Sequence, residues 1–139
     1  MIEHSTDGAV GVVLNRPSGL AVRDVLPDLP ILEPDLVFVG GPVTPEIAVG
    51  LAPGRPGPEL VDIETDEGRG SVRRVFSGYA GWISGQLEAE IDEGAWFVVD
   101  VLPGDVFDSD PAELWERVIR RQDPSISMWA TFPPDPHLN

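Results

Sequence analysis

Cysteine and lysine are both missing from the 139 residues, histidine occurs twice and tyrosine once. Without cysteine there is no disulfide staple and no thiolate metal ligand, so stability must come from a packed core. Without lysine there can be no Gly-Lys-Ser/Thr phosphate loop. Positive charge is scarce: nine basic residues, all Arg, stand against 24 acidic ones, for a net charge of −15. Such a chain repels nucleic acid and anionic membrane surfaces unless a local Arg patch overrides the overall field. No apolar run approaches the roughly 18 residues of a membrane-spanning helix. The opening Met1-Ile2-Glu3-His4 has neither a basic n-region nor an apolar h-region, so no secretory signal is visible. These absences lead to an expectation of one acidic, cytoplasmic globular domain over residues 1–139.

Glycine and proline are plentiful, 15 of each, which makes the chain loop-rich without making it low-complexity. The Asp7-Gly8 pair between Ile2-Glu3-His4 and the Val-rich stretch Ala9–Asn15 predicts a hairpin, because both residues tolerate positive φ. Its second arm ends at Pro17, which cannot donate to a ladder. Leu20, Val22, Val25, Leu26 and Leu29 have helical spacing, but Pro27 and Pro30 limit them to a short helix or turn. Strands are predicted at 36–39, 47–51, 60–63 and 72–76, with a Pro-Gly loop at 53–58 and an acidic turn at 64–70. A helix over 84–93 closes on Gly94, and a buried strand is predicted at 95–101. Asp110-Pro111-Ala112-Glu113 supplies an N-cap acid, a proline at N1 and a glutamate at N3 for a second helix ending near 122–124. From Ser125 the tail, with Pro133, Pro134 and Pro136, reads as extended. The sum is an α+β fold with a mixed, largely antiparallel sheet, open or barrel-like, packed by two main helices. The stretch 72–101 can supply one β–α–β crossover.

Two glycine-rich strand ends stand out chemically. Gly40-Gly41-Pro42 follows a strand, where its backbone can approach the first loop or a ligand or simply supply φ > 0. Gly78-Tyr79-Ala80-Gly81-Trp82-Ile83-Ser84-Gly85-Gln86 reads as a strand-to-helix connection. It either offers backbone N–H groups to an anion or only lets Trp82 pack closely. Acid–base groups are sparse. His4 beside Glu3 can serve as a base or stand as an ordinary edge histidine, and His137 lies far away in the tail. Two histidines so placed make no metal site, and no metal or cofactor is expected. Ser77 and Ser84 have no base and no nucleophile elbow. The acidic run Glu88, Glu90, Asp92, Glu93 reads as a solvated helix face. Arg117, Arg120 and Arg121 suit a helix C-terminus and pairing with Glu113 and Glu116.

Three motifs in register resemble the YqgE/AlgH family. They are His4 with Asp7-Gly8-Ala9-Val10-Gly11-Val12-Val13-Leu14-Asn15-Arg16-Pro17, then Gly40-Gly41-Pro42-Val43, then Gly78-Tyr79-Ala80-Gly81-Trp82 with Gly85-Gln86-Leu87-Glu88 and Glu90-Ile91. Ala95-Trp96 and Leu114-Trp115 extend the resemblance over nearly the whole chain. It implies a small cytoplasmic bacterial protein with an α+β fold, no assigned activity, no accepted catalytic residue and no cofactor. A transcription-regulator label also travels with the family. Members usually begin with a further strand segment before the His4 motif. Met1 is therefore expected to be an internal methionine, leaving an unpaired sheet edge that favours self-association.

The resulting expectation is a non-enzymatic module that binds a small ligand or a protein partner. Its candidate surface comprises Asn15, Gly40, Gly41, Pro42, Gly78, Tyr79, Gly81, Trp82, Gly85 and Gln86, with no catalytic residue. The rival readings are a regulator that contacts DNA directly, which the charge opposes, and a hydrolase that uses His4.

Overall fold

The computed structural model describes residues 1–30, 32–107 and 110–131, and a single long strand organises them. Along the chain the elements are β1 (Glu3–Ser5), β2 (Gly8–Gly11), α1 (Val22–Val25), β3 (Val37–Val39), β4 (Val43–Ala52) and β5 (Glu59–Val61). They continue with α2 (Asp66–Ser71), β6 (Arg74–Ile83), α3 (Gln86–Asp92), α4 (Pro111–Arg120) and α5 (Pro124–Ser127), followed by a 3-10 turn over Met128–Thr131. The sheet order is β1-β2-β6-β4-β5, all antiparallel, while β3 runs parallel to the first half of β6. The architecture is α+β, with the sheet curled into a half-barrel.

The hairpin forms as its Asp-Gly pair predicts, with Glu3 opposite Val10, His4 opposite Ala9 and Ser5 opposite Gly8. β3 pairs with β6 as Val37–Val75, Phe38–Phe76 and Val39–Ser77. Successive side chains on a strand face opposite ways. Val37 and Val75 therefore enter a cluster with Val22, Leu32, Ile63 and Val72. Phe38 and Phe76 enter the other cluster with Leu51, their rings 5.9 Å apart. A strand covered on both faces has to be apolar throughout, and 36–39 is. Complete burial of Phe38, Phe76 and Leu51 contributes about 1.5–3 kcal/mol apiece before conformational entropy is set against it.

The helix predicted from Asp110 is present, with the Asp110 carboxylate accepting from the Ala112 N–H at 2.9 Å and Leu114 and Ile119 buried. Four expectations need correction. Residues 64–70 are not a turn but lead into α2, where the Thr65 hydroxyl accepts from the Gly68 N–H at 3.1 Å. A Cβ on Gly68 would stand 1.7 Å from the Asp62 carbonyl oxygen, so glycine marks a helix pressed on its neighbour. The stretch 95–101 is no strand and is not buried: Trp96, Phe97, Val98 and Val101 are 49%, 47%, 73% and 65% exposed. With no strand there, the 72–101 crossover does not form, and the parallel pair is β3–β6 with β4, β5 and α2 between. Finally, 124–131 is helical rather than extended, because Asp123 caps α5 by accepting from the Ser125 N–H at 2.9 Å. Pro133, Pro134, Pro136 and His137 lie outside the described residues. Among the described residues no helix is long and apolar enough to cross a membrane.

Candidate functional site

Glycine at 40, 41 and 78 has a topological cause. Val39 pairs with Ser77 on one flank of β6, while Val43 pairs with Tyr79 on the other. Gly40-Gly41-Pro42 therefore carries the chain across β6 from one flank to the other. Backbone lies directly on backbone there. A Cβ on Gly40 would stand 2.3 Å from the Gly78 carbonyl oxygen, and one on Gly41 would stand 2.3 Å from the Tyr79 carbonyl. One on Gly78, whose φ is +68°, would stand 2.7 Å from the Gly41 carbonyl oxygen. Just beyond the crossing β4 bulges between Val43 and Ala48, with Thr44 at φ 43°.

This corrects the reading of Gly78–Gly85 as an open connection offering N–H groups. Gly78, Tyr79 and Gly81 lie within β6, with Tyr79 opposite Val43 and Gly81 opposite Val10. The Gly40 N–H donates to Ser77 at 2.9 Å, and its carbonyl accepts from Val13 at the same distance. Asn15 is exposed on the stretch that runs along β3, opposite the crossing, so Asn15, Gly40, Gly41, Pro42 and Gly78 share one neighbourhood. Trp82, Gly85 and Gln86 form a second group about 10–13 Å further along the strand. There the connection shrinks to Ser84-Gly85, with Gly85 at φ +76° before α3.

At this second group the sequence reading missed the central residue, Glu90. One of its carboxylate oxygens accepts from the Trp82 indole N–H at 3.0 Å and from the Trp96 indole N–H at 2.7 Å. The other accepts from the Gln86 amide at 3.0 Å, and the Gln86 carbonyl accepts from the Ile83 N–H at 3.1 Å. The two indoles meet edge to face with centroids 5.8 Å apart. Trp96, Trp82 and Gln86, in that order of effect, hold the Glu90 carboxyl below the usual carboxylate range. The four-residue step from Gln86 to Glu90 on one helix face was the readable signal. Trp96 was hidden because its segment reads as a strand. Beside this group Ile83 is 76% exposed.

His4 sits on β1 against Glu88 of α3, with Nε2 hydrogen-bonded to Oε1. Both side chains are about half exposed, and the hydrogen bond from His4 lowers the Glu88 pKa. The pair lies on open surface, not in a cleft. Among the described residues no three His, Asp or Glu side chains are placed to hold a metal ion.

Much of the arginine is internally engaged. Arg23 pairs with Asp35, Arg120 with Glu116 and Arg121 with Asp105. Arg69 donates to the Ile63 carbonyl and the buried Arg74 to those of Glu33 and Phe107. The Arg121–Asp105 contact is bidentate and pulls the Asp105 pKa down to about 2. Asp105 also accepts from the Leu102 N–H at 2.7 Å, tying the exposed 96–102 segment to α4. Two concavities open on the surface of the described residues. One of 620 Å³ lies between α1, the β4 bulge and the turn before α2. Another, of 280 Å³ and mostly apolar, lies between Ile2, Val12 and Leu14 on one side and Val99–Val106 with α4 on the other.

The AlgH-like family model matches residues 1–127. A UPF0301 protein of Streptomyces coelicolor is 43% identical over 162 aligned positions, spanning all of this chain and 83% of that protein. A UPF0301 protein of Thermobifida fusca is 41% identical, over 96% of this chain and 80% of its own. Among solved structures, a crystal structure from Corynebacterium diphtheriae superposes with a TM-score of 0.79 at 31% identity, covering 94% of this chain and 80% of that one. The solution structure of the AlgH protein from Pseudomonas aeruginosa gives 0.67 at 28% identity, covering 96% and 82%.

Proposed function

The chain belongs to the AlgH-like family, and from that premise we propose that it is a non-enzymatic module that binds a protein partner through the Trp82–Trp96 surface. The carrying observation is the shared Glu90 carboxylate, which fixes two partly exposed indoles in one arrangement before any partner arrives. Aromatic anchors of this kind dominate binding energy in protein interfaces, and immobilising them in advance lowers the entropy cost of association. A small ligand would instead call for a concave, mostly enclosed pocket, whereas this surface is open and continues into exposed Ile83. The non-catalytic half of the proposal draws support from the one imidazole–carboxylate pair among the described residues, His4–Glu88, lying in solvent. Net charge of −15 and the internal engagement of most arginines oppose direct contact with DNA.

The test is capture of partners from native lysate on immobilised protein, comparing wild type with Trp96→Ala and Glu90→Gln after thermal melts confirm folding. A protein retained by wild type and lost from both variants is the expected result. An unchanged set of captured proteins rejects the surface. Hydrolysis abolished by His4→Ala would establish an enzyme, and a salt-steep electrophoretic shift would establish a DNA-binding regulator.

A further inference from the structure

The 620 Å³ groove carries an inference independent of the tryptophan surface. Its floor is apolar, with Leu26, Leu29, Ala48 and Ile63 packed on the Val22–Val75 cluster. Its rim leaves two large aliphatic side chains in water, Val25 at 45% and Ile47 at 51% exposure. Carboxylates from three separate segments surround them: Asp28 after α1, Glu46 in the β4 bulge, and Asp62 and Glu64 before α2. All four are exposed, and no ion pair with a described residue neutralises them. The single lining cation, Arg69, has its Nε–H committed to the Ile63 carbonyl at 2.9 Å. A concave, apolar-floored site ringed by one sign of charge focuses field on an oppositely charged ligand.

We propose that this groove docks a basic amphipathic peptide segment of a partner protein, seating its aliphatic side chains on Val25 and Ile47 and its Lys or Arg groups among Asp28, Glu46, Asp62 and Glu64. A second copy of the chain is a poor occupant. It carries the same charge of −15, and Arg23, Arg120 and Arg121 already hold carboxylates of their own. Helix-in-groove docking of this type needs both the apolar anchors and the complementary charge.

The probe is a fluorescein-labelled peptide with leucines at helical i, i+3, i+4 spacing and lysines elsewhere, read by anisotropy against the full chain at about 50 mM and about 300 mM salt. Saturable binding is expected, weakened about fivefold or more by Ile47→Ser. Glu46→Gln with Glu64→Gln should weaken it by a similar factor and flatten its salt dependence, while Trp96→Ala leaves it unchanged. All three rim positions, Glu46, Ile47 and Glu64, are exposed, so these variants leave the core intact, and thermal melts verify folding. Absence of saturable binding overturns the proposal. So does binding unaffected by Ile47→Ser, or equal binding of a Lys/Ser peptide of the same charge. Sedimentation showing a dimer that Ile47→Ser dissolves would assign the groove to a second copy and overturn it as well.

Discussion

Alanine at four glycines separates steric contact at the strand crossing from backbone conformation. Gly40→Ala adds a methyl 2.3 Å from the Gly78 carbonyl oxygen at a φ that any residue adopts. Neither backbone can yield without breaking the β3–β6 or β4–β6 ladder, so a cost of about 1–3 kcal/mol follows from overpacking alone. Gly85→Ala is the converse, with φ +76° and nothing within 4 Å. It costs about 1–2 kcal/mol of left-handed strain, less a few tenths recovered from the stiffer unfolded chain. Gly78→Ala combines both terms, with φ +68° and a contact of 2.7 Å, for about 2–5 kcal/mol. Gly57→Ala meets neither and should be neutral or stabilising by up to about 1 kcal/mol. A domain of this size holds roughly 7–20 kcal/mol in all, so every variant folds and urea melts at a common slope give the differences. The order of loss should be Gly78 first, then Gly40 and Gly85, with Gly57 last. If Gly40→Ala falls within about 0.5 kcal/mol of Gly57→Ala, backbone contact at the crossing is not what requires glycine.

Three further predictions follow from polar groups. A carboxyl drawn from 3.8 to about 2 stabilises the fold above pH 4 and loses that contribution as pH falls through about 2. Asp105→Asn should therefore cost roughly 1–2 kcal/mol at neutral pH, after allowing for the 23% exposure of Arg121, and flatten the acid limb of stability against pH. Glu90 is likewise held below its ordinary range, so near-ultraviolet circular dichroism of the tryptophans should change only below pH 4.5, and Glu90→Gln should abolish that step. Asp110→Ala should lower stability by about 1 kcal/mol through loss of the α4 cap, measured by thermal melting; no change would mean the cap contributes nothing.

Local signals were legible where one short stretch determines its own conformation. Asp7-Gly8 specified its hairpin, Asp110-Pro111 its helix, and the uninterrupted apolar run at 36–39 a strand. The failures share one physical origin. Gly68 looks like a helix breaker until Asp62 is seen pressed against it, and Gly78 and Gly81 look like a loop until the crossing chain is placed over β6. The run 95–101 has a strand's composition but lacks a ladder among the described residues. Glu90 looks like solvated charge because the tryptophans it joins are eight residues before it and six after it. Composition conveys what a segment could form, and these outcomes depended on neighbours distant in sequence.

The threaded passage over β6 also dictates an order of events during synthesis. Residues 37–52 leave the ribosome well before 74–83, and until then β3 and β4 have no common strand to straddle. Only the local β1–β2 and β4–β5 hairpins can close early. Val37-Phe38-Val39 can bond early to Arg16, Ser18 and Leu20 on one flank, but its other flank waits for a strand almost forty residues downstream. Long-range closure of this kind is slow, and the waiting hydrophobic stretch is open to wrong associations. A nascent chain stopped before residue 83 therefore presents chaperones and proteases with an unsealed sheet.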